Sequence, residues 1–360
     1  AFRSGIGMSR KMEFGVFEEF GRRGGESEAD SFARSFEVID AAEAGGIDAV
    51  WLAEIHFAPD RSVLAAPMTI AAGIAGRTER IKIGTAVQIL PLVNPLRIAE
   101  DAATVDQISH GRLIFGVGRS GFPRSYLAYG ISYAESKDRF NEALEVIRLA
   151  WTQPSFSYEG RYHSYQDVRF SPQPYQKPLP PIRVAATSPD TFPAIGSEGY
   201  PIFVGVRQGS FSELLPHIQA YREAYRAAGH PGKGQVYVRV PLYVADTEER
   251  GVAEPEESIM HFMRRQARQQ AESATMAGVS DVDRRLRNSE ALEHYTYEDV
   301  CRDKVVVGSP DTVTERLKSI QDELGIDGIL AELNSGGLIP QDGVMRSLKL
   351  LSSEVLPCFN

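Results

Sequence analysis

Cysteine is scarce in this sequence: only Cys301 and Cys358 occur in 360 residues. Neither has a partner at the CxxC or His–Cys spacing of a metal site, so we predict no bound metal and exclude a disulfide scaffold. No apolar run reaches the roughly 20 residues needed to span a bilayer, and no signal-peptide pattern precedes Met8. We therefore expect a cytoplasmic protein without a membrane segment.

The sequence also lacks a surplus of positive charge, with 39 Lys and Arg against 48 Asp and Glu, for a net charge of −9. Because a nucleic-acid-binding protein needs basic residues to neutralise phosphates, we expect no nucleic-acid partner. Isolated arginines can still bind one phosphorylated cofactor. There is no Walker-type glycine loop, and GVGRSG at 116–121 lacks the Rossmann spacing, which argues against a nicotinamide-binding domain.

Short apolar segments instead alternate with amphipathic ones along most of the chain, a pattern typical of parallel α/β folds. Eight such units without a clear linker predict an α/β protein of the (β/α)8 TIM-barrel type, in one domain. The predicted strands are 12–17, 47–53, 81–90, 113–117, 182–186, 202–206, 236–244 and 328–333. The predicted helices are 30–45, 67–75, 95–109, 136–151, 212–229, 311–324 and 343–355.

Two segments stand apart from this alternation. Residues 248–303 are rich in Arg, Gln, Glu and Ala and predict a late helical insertion over the barrel mouth. It would act as a mobile lid, or else be a solvated helical ornament. We interpret residues 1–11 as an added leader and N-terminal tail, and residues 12–360 as the single domain.

The stretch 84–119 is the most informative one, because it predicts strand, helix and strand ending in Gly118–Arg119. Ligands of α/β barrels lie at the carboxyl ends of strands. An arginine there, among glycines that allow close backbone approach, suits an anion such as phosphate. The alternative is a surface arginine that follows a tight turn.

Several segments, in this order, resemble the bacterial-luciferase-like flavin monooxygenases. They are WLAEIHF (51–57), GTAVQILPLVNPLRIAEDAATVDQISHGRLIFGVGR (84–119), SPQPYQKPLPPIRVAATSPDTFPAIGSEGYP (171–201), VVGSPDTVTERLKSI (306–320) and SLKLLSSEVLPCF (347–359). The resemblance implies a TIM-type barrel, usually dimeric, that binds reduced FMN at the carboxyl ends of its strands. It also implies a separate reductase that supplies the flavin.

The resemblance further implies a phosphate site made of Arg119, Ser188 and Thr191. Ser188 and Thr191 stand in AATSPDT, where a strand opens a helix whose free amides attract anions. We expect this loop near the seventh strand, where barrels commonly bind phosphate. The alternative is that Ser188 caps the helix, and both roles can coexist. The family often carries a cis peptide under the flavin ring, which would here be Ala86–Val87.

Three positions depart from luciferases. Luciferases have two adjacent histidines where this sequence has Ile55 and His56, so only the second histidine remains. A luciferase histidine close to the flavin ring corresponds to Asn94, which we therefore expect on the cofactor side. A luciferase cysteine corresponds to Gly118. These changes argue against light-emitting aldehyde oxidation. Alternation aims Glu54 and His56 to one face, so the pair is our candidate for acid–base catalysis. The alternative is a buried histidine that holds the following loop.

Loop carboxylates and aromatic residues complete the candidates. Glu18 and Glu19 would face a substrate or be ordinary solvated carboxylates. Phe17, Phe20, Phe57 and Phe122 would wall an apolar pocket or belong to the core.

The resemblance thus implies an FMNH2-dependent, two-component monooxygenase. Oxygen would add to C4a of the reduced flavin, and the resulting peroxide would transfer one oxygen atom to a small organic substrate. The alternatives are an F420-dependent oxidoreductase of the same fold, and a non-catalytic flavin-binding or partner subunit. No residue names the substrate.

Overall fold

The computed structural model describes residues 12–206 and 209–359, so the predicted leader at 1–11 lies outside the described residues. In chain order, the strands are β1 (Glu13–Glu18), β2 (Ala49–Leu52), β3 (Lys82–Thr85), β4 (Gln88–Ile89), β5 (Leu113–Gly118), β6 (Phe156–Glu159), β7 (Ser164–Val168), β8 (Ile182–Ala185), β9 (Ile202–Gly205), β10 (Val236–Val244), β11 (Val306–Gly308) and β12 (Gly328–Glu332). The helices are α1 (Glu28–Ala44), α2 (Pro67–Ala75), α3 (Pro95–Ile108), α4 (Pro123–Ala128), α5 (Ser136–Thr152), α6 (Thr191–Glu198), α7 (Phe211–Ala227), α8 (Glu248–Ala253), α9 (Glu256–Ala274), α10 (Val282–His294), α11 (Tyr297–Asp303), α12 (Pro310–Leu324) and α13 (Gln341–Leu350).

Eight of the strands in the described ranges close a parallel barrel in the order β1, β2, β3, β5, β8, β9, β10 and β12. The ring closes where β12 pairs with β1 and where β9 pairs with β10. These eight are the strands that the alternation predicted, so the (β/α)8 fold is confirmed. Each of these strands is buried on both faces, which explains why its sequence is almost continuously apolar.

The barrel interior is filled around Trp51, which is fully buried. A Cβ atom at Gly15 or Gly84, on the two strands beside β2, would overlap the indole ring. Glycine at both positions therefore makes room for one large side chain in the barrel. Beside it, the Arg183 guanidinium lies 4.8 Å from the Trp51 ring and donates to Glu13 at 2.8 Å.

The third strand is interrupted, whereas the sequence predicts one strand over 81–90. The chain leaves β3 at Thr85, passes through the Ala86–Val87 bond, which is cis as expected, and resumes as β4. Val87 leans toward β5, because a Cβ atom at Gly118 would lie 2.5 Å from its Cγ2 atom. The interruption turns the backbone at 86–87 to the barrel mouth.

Other differences concern segments outside the barrel strands. Residues 153–181 form the antiparallel hairpin β6–β7, which the sequence predicts only as an insertion. The short strand β11, which pairs with β10, is absent from the predicted set. The loop with Ser188 follows the fifth barrel strand, β8, so its expected place near the seventh strand is wrong; the hairpin insertion before it obscured the count.

The late insertion is helical, as predicted, and consists of α8 to α11. Helix α9 buries one face, with Phe262, Met263 and Ala267 each less than 3% exposed. Among the helices of residues 12–206 and 209–359, none is long and apolar enough to cross a bilayer.

Candidate active site at the barrel mouth

A cavity of about 560 Å³ opens at the carboxyl ends of the barrel strands. This volume is in the range of pockets that bind small molecules and cofactors. Residues of β1, β2, β5, β8, β9 and β10, or the loops after them, line its floor, and α9 and α10 line its outer wall. The helical insertion therefore covers the mouth, as the sequence predicts.

One end of the cavity is cationic, and we call it the open-cation end: Arg119, Lys137 and Ser188 with Asp190. The Arg119 guanidinium has no hydrogen bond or ion pair with any residue of the described ranges. It is partly exposed and follows β5, whose next residue, Ser120, has a φ of 61°. This turn carries the side chain from the strand end to the cavity.

The loop after β8 brings Ser188 to the same end. Its hydroxyl donates to the Asp190 carboxylate; that bond, with Lys137 and Arg119 nearby, lowers the pKa of Asp190. Helix α6 begins only at Thr191, with Asp190 at its N-cap, so the alternative of Ser188 as the cap is wrong. The helix starts later than expected because residues 187–190 form a turn held by Thr191.

Thr191 has a supporting position. Its Oγ1 atom accepts the backbone N–H groups of Thr187 at 3.3 Å and Ser188 at 3.2 Å, and donates to the Ser188 carbonyl at 2.6 Å. The residue is next to the cavity lining but not part of it. Of the predicted phosphate triad, the structure thus brings Arg119 and Ser188 to the cavity, and Thr191 holds the turn that carries Ser188.

The middle of the cavity is narrow-walled and apolar. Ala86 and Val87 line it from the interrupted third strand, and Ala185 from the end of β8. Ala53 from the end of β2 and Phe203 from β9 complete this part. These side chains come from neighbouring strands of the barrel, and we call the part of the cavity that they line the slot; small residues there leave space for a flat ring.

Glu54 and His56 form a hydrogen-bonded dyad beside this slot. His56 Nε2 lies 2.7 Å from Glu54 Oε1, which confirms that alternation aims both side chains to one face. Glu54 Oε2 accepts from Gln88 Nε2 at 2.6 Å and from the Ile89 N–H at 2.7 Å. Burial raises the pKa of Glu54, although the hydrogen bonds from His56 and Ile89 oppose the rise. Glu54 lines the cavity and His56 does not.

The outer side of His56 contacts aromatic residues near the surface. Its Nδ1 atom lies 3.4 Å from the Tyr129 hydroxyl, and Tyr129 is 47% exposed. Glu54 of the dyad is therefore at the cavity, and His56 contacts the partly exposed Tyr129 hydroxyl on the solvent side.

Asn94 lies away from these groups. It is exposed and caps α3, where its Oδ1 atom accepts the N–H groups of Leu96 at 3.0 Å and Arg97 at 3.2 Å. It is not among the residues that line the cavity. The geometry therefore gives its predicted role as a cofactor contact no support.

The other end of the cavity is lined by Glu19, Arg61 and Arg239. With Arg265 and Glu332, which contact them, these residues form what we call the arginine–glutamate cluster. Arg61 donates from both Nε and Nη2 to the Glu19 carboxylate, and Arg239 Nη2 donates to Glu19 Oε1 at 3.0 Å. Arg239 also pairs with Glu332 at 2.7 Å, and Arg265 lies 3.8 Å from Glu19. Burial alone would raise the pKa of Glu19, but the arginines hold it well below its usual range.

Sequence reasoning left open whether Glu18 and Glu19 face a substrate or are solvated carboxylates. Because side chains alternate along β1, the two residues point to different sides. Glu19 lines the cavity, whereas Glu18 contacts Ser35 of α1, and burial raises the pKa of Glu18 to about 8. Phe17 and Phe122 line the cavity, as one of their two predicted roles requires. Phe20 belongs to the core, and Phe57 is 51% exposed, so Phe57 has neither predicted role.

Helix α10 is tied to the glycine turn after β5. The Arg285 guanidinium donates to the Gly121 carbonyl at 2.9 Å and to the Tyr133 hydroxyl at 3.1 Å. It also pairs with Asp281 at 2.7 Å. The insertion is thus in contact with the open-cation end through a buried arginine.

Sequence reasoning missed several lining residues. Lys137 opens α5 and Gln266 and Gln270 lie on α9 at i, i+4 spacing, so helical periodicity could have placed the two glutamines on one face. Arg61 and Arg239 carry no local signal, because their partners are 42 and 220 residues away in the chain.

Comparison with known proteins matches residues 12–328 to a family model described as luciferase-like monooxygenase. The oxygenase component of a flavin-dependent trigonelline monooxygenase from Acinetobacter baylyi is 25% identical over 97% of this chain and 96% of its own. An F420-dependent glucose-6-phosphate dehydrogenase from Kineococcus radiotolerans is 33% identical over 54% of this chain and 58% of its own. The fold matches the oxygenating constituent of 3,6-diketocamphane monooxygenase from Pseudomonas putida, solved with FMN. The TM-score is 0.78 at 23% identity, over 96% of this chain and 98% of that one.

Proposed function

The chain belongs to the luciferase-like monooxygenase family, and from that premise we propose that it is the FMN-dependent oxygenase of a two-component system. It would take reduced FMN from a separate flavin reductase and insert one atom of O2 into a small organic substrate. The relative named as an oxygenase component, which aligns over 97% of this chain, supports this organisation.

The observation that carries the proposal is the open-cation end, where the Arg119 guanidinium has no acceptor in the described residues. A partly buried arginine without an acceptor is a ready site for a bidentate oxyanion. Lys137 lies at the same end and suits the remaining phosphate oxygens. The Ser188 hydroxyl, which donates to Asp190 in this structure, would turn to donate to one of them. The Asp190 carboxylate offsets one of the two positive charges, so the site suits a monoester better than a polyphosphate.

The apolar slot between the two ends suits the flavin ring. Ala86, Val87 and Ala185 would lie against its faces, and bound reduced flavin would supply the two electrons that activate O2. Helices α9 and α10 cover the slot, and this cover excludes water, which otherwise diverts such chemistry to hydrogen peroxide. We propose that residues 248–303 open as a lid to admit substrate.

Within this site, Glu54 is the candidate catalytic residue and His56 positions it. Glu54 lines the slot with a pKa raised by burial, so it can hold a proton near the ring. His56 exchanges a proton with Glu54 through the 2.7 Å contact and reaches the Tyr129 hydroxyl on its other side. The three side chains would move protons between the slot and solvent.

Rapid mixing tests the oxygenase proposal. The protein loaded with FMNH2 is mixed with O2, and the flavin spectrum is followed together with the release of hydrogen peroxide. We expect a delay between the loss of the reduced spectrum and the return of oxidised FMN, well beyond that of free FMNH2. Reoxidation at the rate of free flavin, with stoichiometric peroxide, would contradict the proposal.

F420-dependent hydride transfer is the second candidate, because the F420-dependent relative is 33% identical over 54% of this chain. Parallel titrations with FMN and F420 separate the two, and we expect tighter binding of FMN. Turnover by the isolated chain with a reductase would also exclude the third candidate, a non-catalytic partner subunit.

Assembly and location complete the proposal. We propose a homodimer, which sedimentation of the purified chain would test. Both cysteines of the described ranges, Cys301 and Cys358, are unpaired, as is usual for proteins of the reducing cytoplasm, where we propose that the enzyme works.

A further inference from the structure

The arginine–glutamate cluster has hydrogen-bond donors that the protein itself does not use. The hydrogen bonds of Arg61 leave from Nε and Nη2, and those of Arg239 also leave from Nε and Nη2. The Nη1 group of each arginine is therefore without an acceptor in the part of the chain that the structure describes. Both side chains line the cavity, and the Nη2 groups of both contact the same Glu19 oxygen, so the two guanidinium groups are neighbours at this end of the cavity.

Helix α9 adds further polar groups to this end. Gln266 and Gln270 are 2% and 8% exposed and line the cavity one helical turn apart. Gln266 Nε2 is buried without a hydrogen-bond partner in residues 12–206 and 209–359, and so is Nε of the adjacent Arg265. Buried donors without an acceptor are costly, and a turn of the Gln266 amide toward the cavity that its residue lines would let a ligand oxygen accept from Nε2.

The charges of the cluster also do not cancel. Three arginines face two carboxylates, those of Glu19 and Glu332. Glu18, the next carboxyl along the chain, does not supply the missing charge, because burial keeps it largely protonated at neutral pH. A net positive charge inside a largely buried site favours an anionic guest.

We propose that this end of the cavity binds a carboxylate of the organic substrate, between the free Nη1 groups of Arg61 and Arg239 and the Gln266 amide. The inference rests on the proposed function and adds to it the substrate class: a small organic acid whose body lies toward the flavin slot. Paired guanidinium donors match the two oxygens of a carboxylate.

The surroundings favour an acid with an apolar or aromatic body. Phe17, over whose ring the Arg239 guanidinium lies at 3.5 Å, and Phe122 line the cavity. Val204 and Leu330 add apolar surface between the cluster and the slot. Arg119 and Lys137, which we propose bind the FMN phosphate, are at the other end of the cavity. The phosphate and the substrate carboxylate can therefore be bound at the same time.

The binding test uses three aromatic acids, benzoate, phenylacetate and cinnamate, each paired with its primary amide. Calorimetric titration is performed on the wild-type protein in the presence and in the absence of oxidised FMN. We expect at least one acid to bind about 10-fold tighter than its amide, since a hydrogen bond to a charged group is stronger than one to a neutral group. Equal binding of acids and amides, or no binding of any acid, would overturn the proposal.

A substitution that introduces a negative charge at Gln266 tests where in the cavity the acid binds. Gln266→Glu keeps the size of the side chain but puts a carboxylate where the substrate carboxylate should lie, and we expect acid affinity to fall about 10-fold or more. Gln269→Glu is the matched control, because Gln269 is on the same helix but not in the cavity lining. The same loss in both variants, or in neither, would overturn the proposal.

Two readouts keep the two proposals distinct. FMN affinity, followed by flavin fluorescence, should be unchanged in both glutamine variants. If FMN binds but the acids do not, the substrate class is wrong and the flavin function stands. If the acids bind but FMN does not, the carboxylate site stands and the flavin function is wrong.

Discussion

The two ends of the cavity use arginine in opposite ways. At the open-cation end, Arg119 has no acceptor in the described residues and is partly exposed. In the arginine–glutamate cluster, Arg61 is buried and donates twice to Glu19. The first arginine makes no ion pair in the described residues, whereas the second is paired with a carboxylate of the protein itself. Substitutions should therefore reduce ligand affinity at the first end and protein stability at the second.

The largest difference is expected between Arg61→Met and Arg119→Met. Removal of Arg61 leaves the buried Glu19 carboxylate with one fewer cation, and loss of one partner of a buried ion pair costs about 3–5 kcal/mol. Removal of Arg119 breaks no bond in the described residues and should change the free energy of unfolding by less than about 0.5 kcal/mol. Urea unfolding gives the free energy of unfolding of both variants. Equal destabilisation would contradict the distinction between the two ends.

A second contrast sets Glu18 against Glu19, as neighbours with opposite pKa shifts. The pKa of Glu18 is raised to about 8, so its contribution to stability is complete below about pH 4.5 and is lost as the pH rises through about 8. The pKa of Glu19 is lowered, so its contribution is complete above about pH 4.5 and is lost on acidification.

Thermal unfolding across pH tests this pair of shifts. We expect Glu18→Gln to flatten the alkaline side of the stability profile and Glu19→Gln to flatten the acid side, each by a few kcal/mol across its window. Identical profiles for the two variants would show that the two carboxylates do not differ in their surroundings.

Glu54 extends the comparison, because it is a cavity carboxylate that is hydrogen-bonded to His56, Gln88 and Ile89 and to no arginine of the described residues. Glu54→Leu removes the acceptor of Gln88 Nε2 and of the Ile89 N–H, and orphaned buried donors cost about 1–3 kcal/mol. Glu54→Gln is the control, since its amide can accept from those donors while it donates to His56. Unfolding of the Leu variant at wild-type stability would count against a tightly bonded dyad.

At the open-cation end the expected effect is on affinity. Arg119→Met should weaken FMN binding about 10- to 100-fold, the loss of one or two charge-assisted hydrogen bonds. Riboflavin, which has no phosphate, should bind the variant and the wild type equally. Arg124→Met, an exposed arginine of the next helix that does not line the cavity, is the control. A parallel loss of riboflavin affinity would mean that Arg119 shapes the slot instead of binding phosphate.

The smallest effect is expected from Ser188→Ala, which removes one neutral donor at the same end. We expect FMN affinity to fall about 3- to 10-fold. Ser197→Ala on α6, whose hydroxyl bonds the Pro193 carbonyl, tests for effects on the helix alone. A loss as large as that from Arg119→Met would place the main phosphate contact at the serine.

Sequence patterns predicted the barrel well because strand and helix periodicity are local. The eight predicted strands are the barrel strands, and the small residues of the 86–87 turn and the arginine after β5 both reach the cavity. The interruption of the third strand was not predicted from its composition, because an apolar run over 81–90 looks the same whether or not the backbone turns in the middle.

The candidate site was predicted only in part. Motif resemblance selected Arg119 and Ser188, strand alternation selected Glu54, and all three line the cavity. Neither kind of reasoning could distinguish lining residues from those one layer behind. Thr191 and His56 hold lining residues, and Asn94 caps a helix away from them. These roles depend on where a helix begins and where a side chain finds its acceptor.

The sequence by itself determined the fold, the position of Arg119 after the fourth barrel strand, and the late helical insertion. Only the tertiary structure decided which charges meet. Glu19, Arg61 and Arg239 come from three distant parts of the chain, and barrel closure brings them to one side of one cavity. Periodicity records which face of a strand is buried, but the partner of a buried charge depends on strand register and loop path, which no local pattern contains.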